Sequence, residues 1–142
     1  MNSYLIGKNC NQNYQTKHNL LIHLAGLFNN PRRHLRKLVK QKKYDEALEY
    51  GHGIEKKLEH DPDIAFIIGT IYYIKGDSEK TIEYMNSVLD IGEFDLDALA
   101  IKASGYLNLK NREKVIQCCN KMKELDPKNK SLIEIEEELK KI

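Results

Sequence analysis

The sequence repeats itself with a step of 34 residues, and this repetition constrains the fold more than any other feature. Residues 69–77 read GTIYYIKGD, and residues 103–111, which lie 34 positions later, read ASGYLNLKN. The same step backward from Tyr72 reaches Leu38, so a third and weaker copy precedes the other two. A fixed period of this length is typical of chains in which one small unit is stacked on itself. We therefore expect a linear array of units rather than a globule around a central core.

Each copy contains two stretches of helical periodicity separated by a short polar break. In the middle copy Ile64, Ile68 and Ile71 recur every three to four residues. A second stretch with the same spacing, residues 82–89, follows the break at residues 75–79. The chain has only eight Gly and three Pro, too few for an all-β fold with its frequent turns. Each copy is therefore predicted to be a hairpin of two α-helices, and the fold class to be all-α.

Residues that favour helix N-caps stand at the predicted starts of the helices. Asp61 precedes Pro62, whose missing N–H costs nothing in the first turn of a helix. Four further acceptors occupy corresponding places, namely Asp77, Asp95, Asn111 and Asn129. These caps place the hairpin boundaries independently of the apolar spacing.

Three hairpins account for most of the chain, at about residues 28–61, 62–95 and 96–129. Residues 130–142 carry apolar side chains on one side and glutamates on the rest, and we predict a capping helix that covers the last hairpin. Residues 1–27 lie outside the repeat and are predicted to be a mobile tail with a short amphipathic helix, whose apolar stripe begins at Leu20. That helix either covers the first hairpin or docks on a partner or membrane surface.

The repeated unit resembles the tetratricopeptide repeat (TPR). The middle copy carries residues 68–69 as Ile-Gly, then Tyr72 and Gly76, and the third copy ends in Leu-Asp-Pro at 125–127. The first copy departs from the pattern, because Lys42 replaces the turn glycine and Gly51 stands where an aromatic residue is usual. The resemblance implies a right-handed α-solenoid of about three hairpins. It also implies that the first helix of each hairpin lines a concave groove, which holds an extended peptide or a partner helix.

Carried onto this chain, the resemblance gives a set of groove residues. We expect Phe66 and Tyr73 to be the anchors, because aromatic rings bury a large area at low entropy cost. Arg32 and Arg36 are suited to clamping a carboxylate, so the expected partner is a protein or peptide, acidic where it meets them. In the alternative interpretation Phe66 packs against a neighbouring hairpin and the arginines form a solvated face. The full set is Arg32, Arg36, Lys40, Phe66, Thr70, Tyr73, Ser104 and Asn108.

One branch of the TPR family grips the C-terminal carboxylate of chaperones, and this chain matches that branch poorly. Ile67 stands where the branch has Asn, and Asp97 and Ile101 stand where it has Lys and Arg. A chaperone-tail adaptor is therefore disfavoured.

The charge distribution supports two alternative functions. Residues 32–43 contain seven basic residues and no acidic one, which suggests binding to a polyanion or nucleic acid. Interleaved aromatic residues are missing from this stretch, so nucleic acid is the less favoured partner. Residues 1–60 carry 11 Lys and Arg against 5 Asp and Glu, whereas residues 61–142 carry 12 against 16. Such a polarised array is also suited to self-assembly by end-to-end stacking.

Signals for catalysis, cofactors and metals are weak. The sequence has no HExxH, CxxC or glycine-rich phosphate loop, and we interpret its histidines as isolated surface residues without a helix-spaced carboxylate. Cys119 occupies a core position and Cys118 is expected to be an exposed thiol, since two adjacent helical residues point in different directions. We therefore expect a protein-interaction module that is not an enzyme and has no cofactor or metal.

The sequence also favours a cytoplasmic protein. Its longest apolar stretches are far shorter than the roughly 18 residues of a membrane-spanning helix. The N-terminus does not have the pattern of a secretory signal, and Cys10, Cys118 and Cys119 are poor material for a disulfide framework.

Overall fold

The computed structural model describes residues 30–142. The predicted tail and the amphipathic stripe that begins at Leu20 lie outside the described residues. Leu35–Ile142 forms one compact unit, and residues 30–34 are assigned to the other unit of the chain, Met1–His34. The regular structure of residues 30–142 is helical, with no strand. It comprises α1 (Pro31–Lys40), α2 (Tyr44–Glu55), α3 (Pro62–Lys75), α4 (Ser78–Ile91), α5 (Leu96–Asn108), α6 (Arg112–Leu125) and α7 (Lys130–Leu139).

The five predicted N-caps are present. Asp61 Oδ1 accepts from the backbone amides of Asp63 and Ile64 at 3.0 and 3.3 Å, with Pro62 opening α3. The Asp95 carboxylate accepts from the amide of Ala98 at 2.9 Å at the start of α5. Asp77, Asn111 and Asn129 cap α4, α6 and α7 in the same way. Each cap satisfies amides that the first helical turn leaves without an intrahelical partner.

The turn inside each hairpin has the same backbone geometry at the same repeat position. Lys42, Gly76 and Lys110, spaced by 34 residues, have φ of 59°, 82° and 56°. In the middle turn the amide of Gly76 donates to Tyr73 O at 3.1 Å and the amide of Asp77 donates to Tyr72 O at 2.9 Å. The left-handed conformation explains the turn glycine of the middle copy. The other two hairpins adopt it with a lysine.

Consecutive helices pack side by side from α2 to α6, and α7 packs on both α5 and α6. The buried side chains of Leu35–Ile142 form three clusters along the array. One joins α1, α2 and α3, the next joins α4 to α5, and the last joins α5, α6 and α7. The predicted all-α solenoid of helical hairpins with a C-terminal capping helix is thereby confirmed.

Two glycines allow the helices to approach closely. A Cβ on Gly69 would lie 2.6 Å from Met85 Cε and 2.8 Å from Tyr84 Cβ, so α3 and α4 meet at a position without a side chain. A Cβ on Gly51 would lie 3.0 Å from Ile68 Cγ1. The glycine that departs from the TPR pattern in the first copy therefore stands where α2 approaches α3.

The prediction for Cys118 is wrong. Both Cys118 and Cys119 are buried, and both belong to the cluster between α5, α6 and α7. The face of α6 that is covered by its neighbours is wide enough to include two adjacent positions. Burial raises the pKa of each thiol, so neither cysteine has the depressed pKa of a reactive thiolate.

Candidate partner-binding cleft

A cleft of about 500 Å³ lies along the helices that come first in successive hairpins. Its wall comes from α3, α5 and α7, which occupy successive places in the stack, and from the residues that follow α7. We call it the partner-binding cleft, after the role that we propose for it. It is lined by Tyr73, Ala100, Ile101, Ser104, Leu107, Asn108, Ser131, Glu134, Ile135, Glu138, Lys141 and Ile142.

Three of the predicted groove residues meet in this cleft, namely Tyr73, Ser104 and Asn108. Tyr73 lies in the last turn of α3 and is 38% exposed, so its ring is available for contact. Asn108 is the last residue of α5 and is also exposed. Its amide both donates and accepts hydrogen bonds, which suits a peptide backbone.

Thr70 and Ser104 occupy equivalent positions on α3 and α5, and their hydroxyl groups make equivalent bonds. Thr70 Oγ1 donates to Phe66 O at 2.8 Å, and Ser104 Oγ donates to Ala100 O at 3.0 Å. Each hydroxyl has therefore used its only proton within its own helix. What remains for a ligand is the acceptor side of the oxygen.

Phe66 and Thr70 are not among the residues that line the cleft, although they share α3 with Tyr73. Phe66 is half-buried and packs against the cluster of Met85, Val88 and Ala98. This is the arrangement of the alternative interpretation, in which Phe66 contacts the neighbouring hairpin.

The predicted cationic residues lie on α1. Arg36 and Lys40 are exposed and one helical turn apart, and neither lines the cleft. Arg32 is half-buried in the first turn of α1, where its amide donates to Asn30 Oδ1 at 3.1 Å. It belongs to the unit Met1–His34.

The contribution of α7 to the cleft was missed by the sequence analysis, which treated this segment only as a cap. Glu134 and Glu138 line the cleft although they were not among the predicted residues. The repeat itself carried the signal, because a step of 34 from Ala100 reaches Glu134 and one from Ser104 reaches Glu138. The predicted groove positions continue into the capping helix.

A polar cluster joins α2 and α4, each the second helix of its hairpin, to α3. His52 Nε2 lies 2.9 Å from the Tyr72 hydroxyl and His52 Nδ1 lies 3.1 Å from Glu55 Oε2. Tyr84 donates to the same Glu55 oxygen at 3.1 Å, and its ring stacks on that of Tyr72. The interpretation of His52 as an isolated surface histidine is therefore wrong, because it has a carboxylate partner three residues away. Burial, followed by the charge of Glu55, raises the pKa of Tyr84.

Within residues 30–142 no group of three or more His, Cys, Asp or Glu side chains is placed to hold a metal ion. In the same part of the chain no helix is both long and apolar enough to cross a membrane.

Solved structures of TPR domains are similar to this chain. The first TPR of Spaghetti (RPAP3) bound to the HSP90 peptide SRMEEVD is 16% identical with a TM-score of 0.73, and the match covers 78% of this chain and 88% of that one. A TPR protein from Parabacteroides merdae is 21% identical with a TM-score of 0.72, covering 78% of this chain and 43% of that one. The first TPR domain of human RPAP3 is 18% identical with a TM-score of 0.68, covering 78% and 91%.

No family model matches the sequence. No curated protein matches it either. At these levels of identity the structural matches establish the fold, and the array of hairpins is a TPR fold.

Proposed function

We propose, from the TPR fold and the partner-binding cleft, that this chain is a non-catalytic cytoplasmic protein-interaction module. The cleft on α3, α5 and α7 carries the proposal, because it is a concave surface that combines apolar side chains, such as Leu107 and Ile135, with polar and charged ones. It would hold an extended peptide or a partner helix. A solved neighbour with the same fold holds a peptide, which supports this use of the fold.

The proposed mechanism is geometric. The capped helices hold the cleft open before the partner arrives, so little ordering entropy is lost on binding. Tyr73 provides an aromatic anchor and Asn108 pairs with the partner backbone. Arg36 and Lys40 are exposed on α1 outside the cleft, where they attract an acidic segment of the partner that extends beyond the cleft and orient it by charge.

The partner is expected to differ from the HSP90 peptide of the neighbour. Ile67, at the place where chaperone-binding TPR domains are expected to have Asn, is buried in the core. Asp97 is exposed where a lysine is expected, and its negative charge repels a terminal carboxylate. We therefore propose a partner that does not depend on a C-terminal carboxylate clamp.

A double variant tests the cleft, namely Tyr73→Ala with Asn108→Ala. Both side chains are exposed, so the variant should keep its helical circular dichroism and lose its partners in a quantitative pull-down. Phe94→Ala is a matched control, because Phe94 is an exposed aromatic that does not line the cleft. Retention of every partner by the folded double variant would contradict the proposal.

Polyanion binding by residues 32–43 is the second candidate. Arg33, Arg36, Lys37 and Lys40 are all exposed on α1, which favours it. Binding of a 20-mer of single-stranded DNA would weaken steeply with salt and would be lost in the variant Arg36→Ala with Lys40→Ala. Binding that does not respond to salt would exclude this candidate.

Self-assembly by end-to-end stacking is the third candidate, supported by the polarised charge of the chain. Light scattering at high protein concentration tests it directly. A monomer under those conditions would exclude it.

A further inference from the structure

A second cleft, of about 320 Å³, lies between the second helices α2 and α4, beside the start of α3. We call it the acidic cleft. It has no residue in common with the partner-binding cleft. Its lining consists of Glu55, Leu58, His60, Asp61, Ile64, Ala65, Tyr84, Ser87, Asp90 and Ile91.

The floor of the acidic cleft is apolar. Ile64 is fully buried beneath it, and Leu58 and Ile91 stand at its sides with exposed fractions of 38% and 56%. Exposed aliphatic side chains around a concave surface gain free energy when a partner removes them from water. The apolar stem of a partner side chain has a place to lie here.

Carboxylates surround this floor without a lysine or arginine among the lining residues. Glu55 is held in place by hydrogen bonds from Tyr84 and His52, both at 3.1 Å. Asp61 has its oxygen directed to the amides of α3 as the N-cap. Asp90 forms no ion pair within residues 30–142. Within residues 30–142, Glu55 and Asp90 therefore present negative charge that is not paired with a Lys or Arg.

The corresponding place in the next repeat has a different character. A step of 34 residues replaces Tyr84 by Cys118 and Ser87 by Lys121. The cleft there, between α4 and α6, is lined by Lys102, Lys114 and Lys121 as well as by Asp90 and Glu93. Within residues 30–142, a cleft lined by carboxylates without a Lys or Arg thus occurs at this hairpin junction and not at the next one.

We propose that the acidic cleft binds an arginine side chain of a basic partner segment. The aliphatic stem lies against Leu58 and Ile91, and the guanidinium group is drawn to Glu55 and Asp90. A guanidinium suits this site better than an ammonium, because its planar fork donates to two carboxylates and is more weakly hydrated. This surface acts independently of whatever occupies the partner-binding cleft.

The test uses the dipeptide N-acetyl-leucyl-arginine amide, titrated into the full chain labelled with 15N. We expect saturable shifts of backbone amides in residues 55–61 and 84–91, weakened by added salt. The matched probe N-acetyl-leucyl-citrulline amide has nearly the same shape without the charge, and should bind at least about five-fold more weakly because it loses the charge-assisted hydrogen bonds. Equal binding of the two dipeptides would overturn the proposal.

Variants locate the site. Asp90→Asn should weaken arginine-dipeptide binding by about five-fold, as expected for loss of one partly exposed charge partner. Glu124→Gln is the matched control, since it removes a charge at the equivalent position one repeat later and should leave binding unchanged. Because Asp90 is exposed, its replacement should leave the amide spectrum of the free protein intact. Glu55→Gln is a second variant, expected to weaken binding as well.

Three other outcomes would overturn the proposal. These are an unchanged affinity in both Asp90→Asn and Glu55→Gln, shifts confined to other parts of the chain, and shifts at the acidic cleft that depend on protein concentration without dipeptide. The last would identify a second copy of the chain as the occupant. Tyr73→Ala with Asn108→Ala should retain dipeptide binding, so failure of this proposal is distinguishable from failure of the proposed function.

Discussion

Single residues decide how well each hairpin turn closes. Lys42 and Lys110 adopt the left-handed conformation that Gly76 adopts in the middle turn. A residue with a Cβ pays a steric cost there that glycine avoids. Lys110→Gly should therefore raise the free energy of unfolding by about 0.5–1 kcal/mol, measured by urea denaturation. The reciprocal variant Gly76→Lys should lower it, and an unchanged stability in both would show that these turns are not strained.

Gly69 determines how closely α3 and α4 approach. A methyl group at this position would overlap Met85 Cε and Tyr84 Cβ. Gly69→Ala should therefore destabilise the protein by about 1–3 kcal/mol, despite the better helix propensity of alanine. Gly53→Ala is the control, since a Cβ there meets no atom and should stabilise α2 slightly. Thermal denaturation of the two variants distinguishes packing from propensity.

The Tyr84 hydroxyl gives the fold a dependence on alkaline pH. Its pKa is raised in the folded protein above the ordinary value of 10.0, first by burial and then by Glu55. In the unfolded chain this tyrosine deprotonates near pH 10, whereas in the folded protein it stays protonated. The stability that it contributes is thus complete below pH 10 and is lost as the pH rises toward the folded value. Tyr84→Phe should lose less stability than the native chain between pH 9 and 11 in urea titrations.

Among the elements, α7 has two roles. Leu132 is fully buried in the last core cluster, and the same helix supplies Glu134 and Glu138 to the partner-binding cleft. Leu132→Ala should destabilise the protein by about 2–5 kcal/mol, with loss of ordered signal first in α6 and α7. Ile133→Ala is the control, because Ile133 is half exposed and outside the core. Equal effects of the two variants in urea denaturation would contradict a capping role.

At the scale of elements, sequence reasoning predicted most of what the structure contains. The caps Asp61 and Asp95 and the 34-residue step placed the helix starts, because both are local properties of the chain. Sequence reasoning could not predict the contacts of His52 with Tyr72 and Tyr84, because these contacts join residues 20 and 32 positions apart. Such contacts depend on the angle at which helices cross, which apolar spacing does not specify. The same limit applies to the burial of Cys118.

The whole molecule combines two surfaces with different chemistry. The partner-binding cleft includes residues at matching repeat positions, and the resemblance to the TPR implied two of its residues, Tyr73 and Ser104. The acidic cleft depends on side chains that differ between repeats, such as Tyr84 against Cys118. Repetition thus makes a shared surface predictable, whereas a surface specific to one junction emerges only from three-dimensional contacts.

The division of the core into three clusters affects how fast different parts of the array open to solvent. Because each hairpin is buried mainly by its neighbours, the array can open from one end without losing the rest. The amides of α7 should therefore exchange with solvent deuterium sooner than those of α3 and α4, whose flanks are both covered. Exchange at one common rate throughout the helices would show a single cooperative opening. A partner that contacts α3, α5 and α7 would stabilise α7 and slow the hydrogen exchange of its amides.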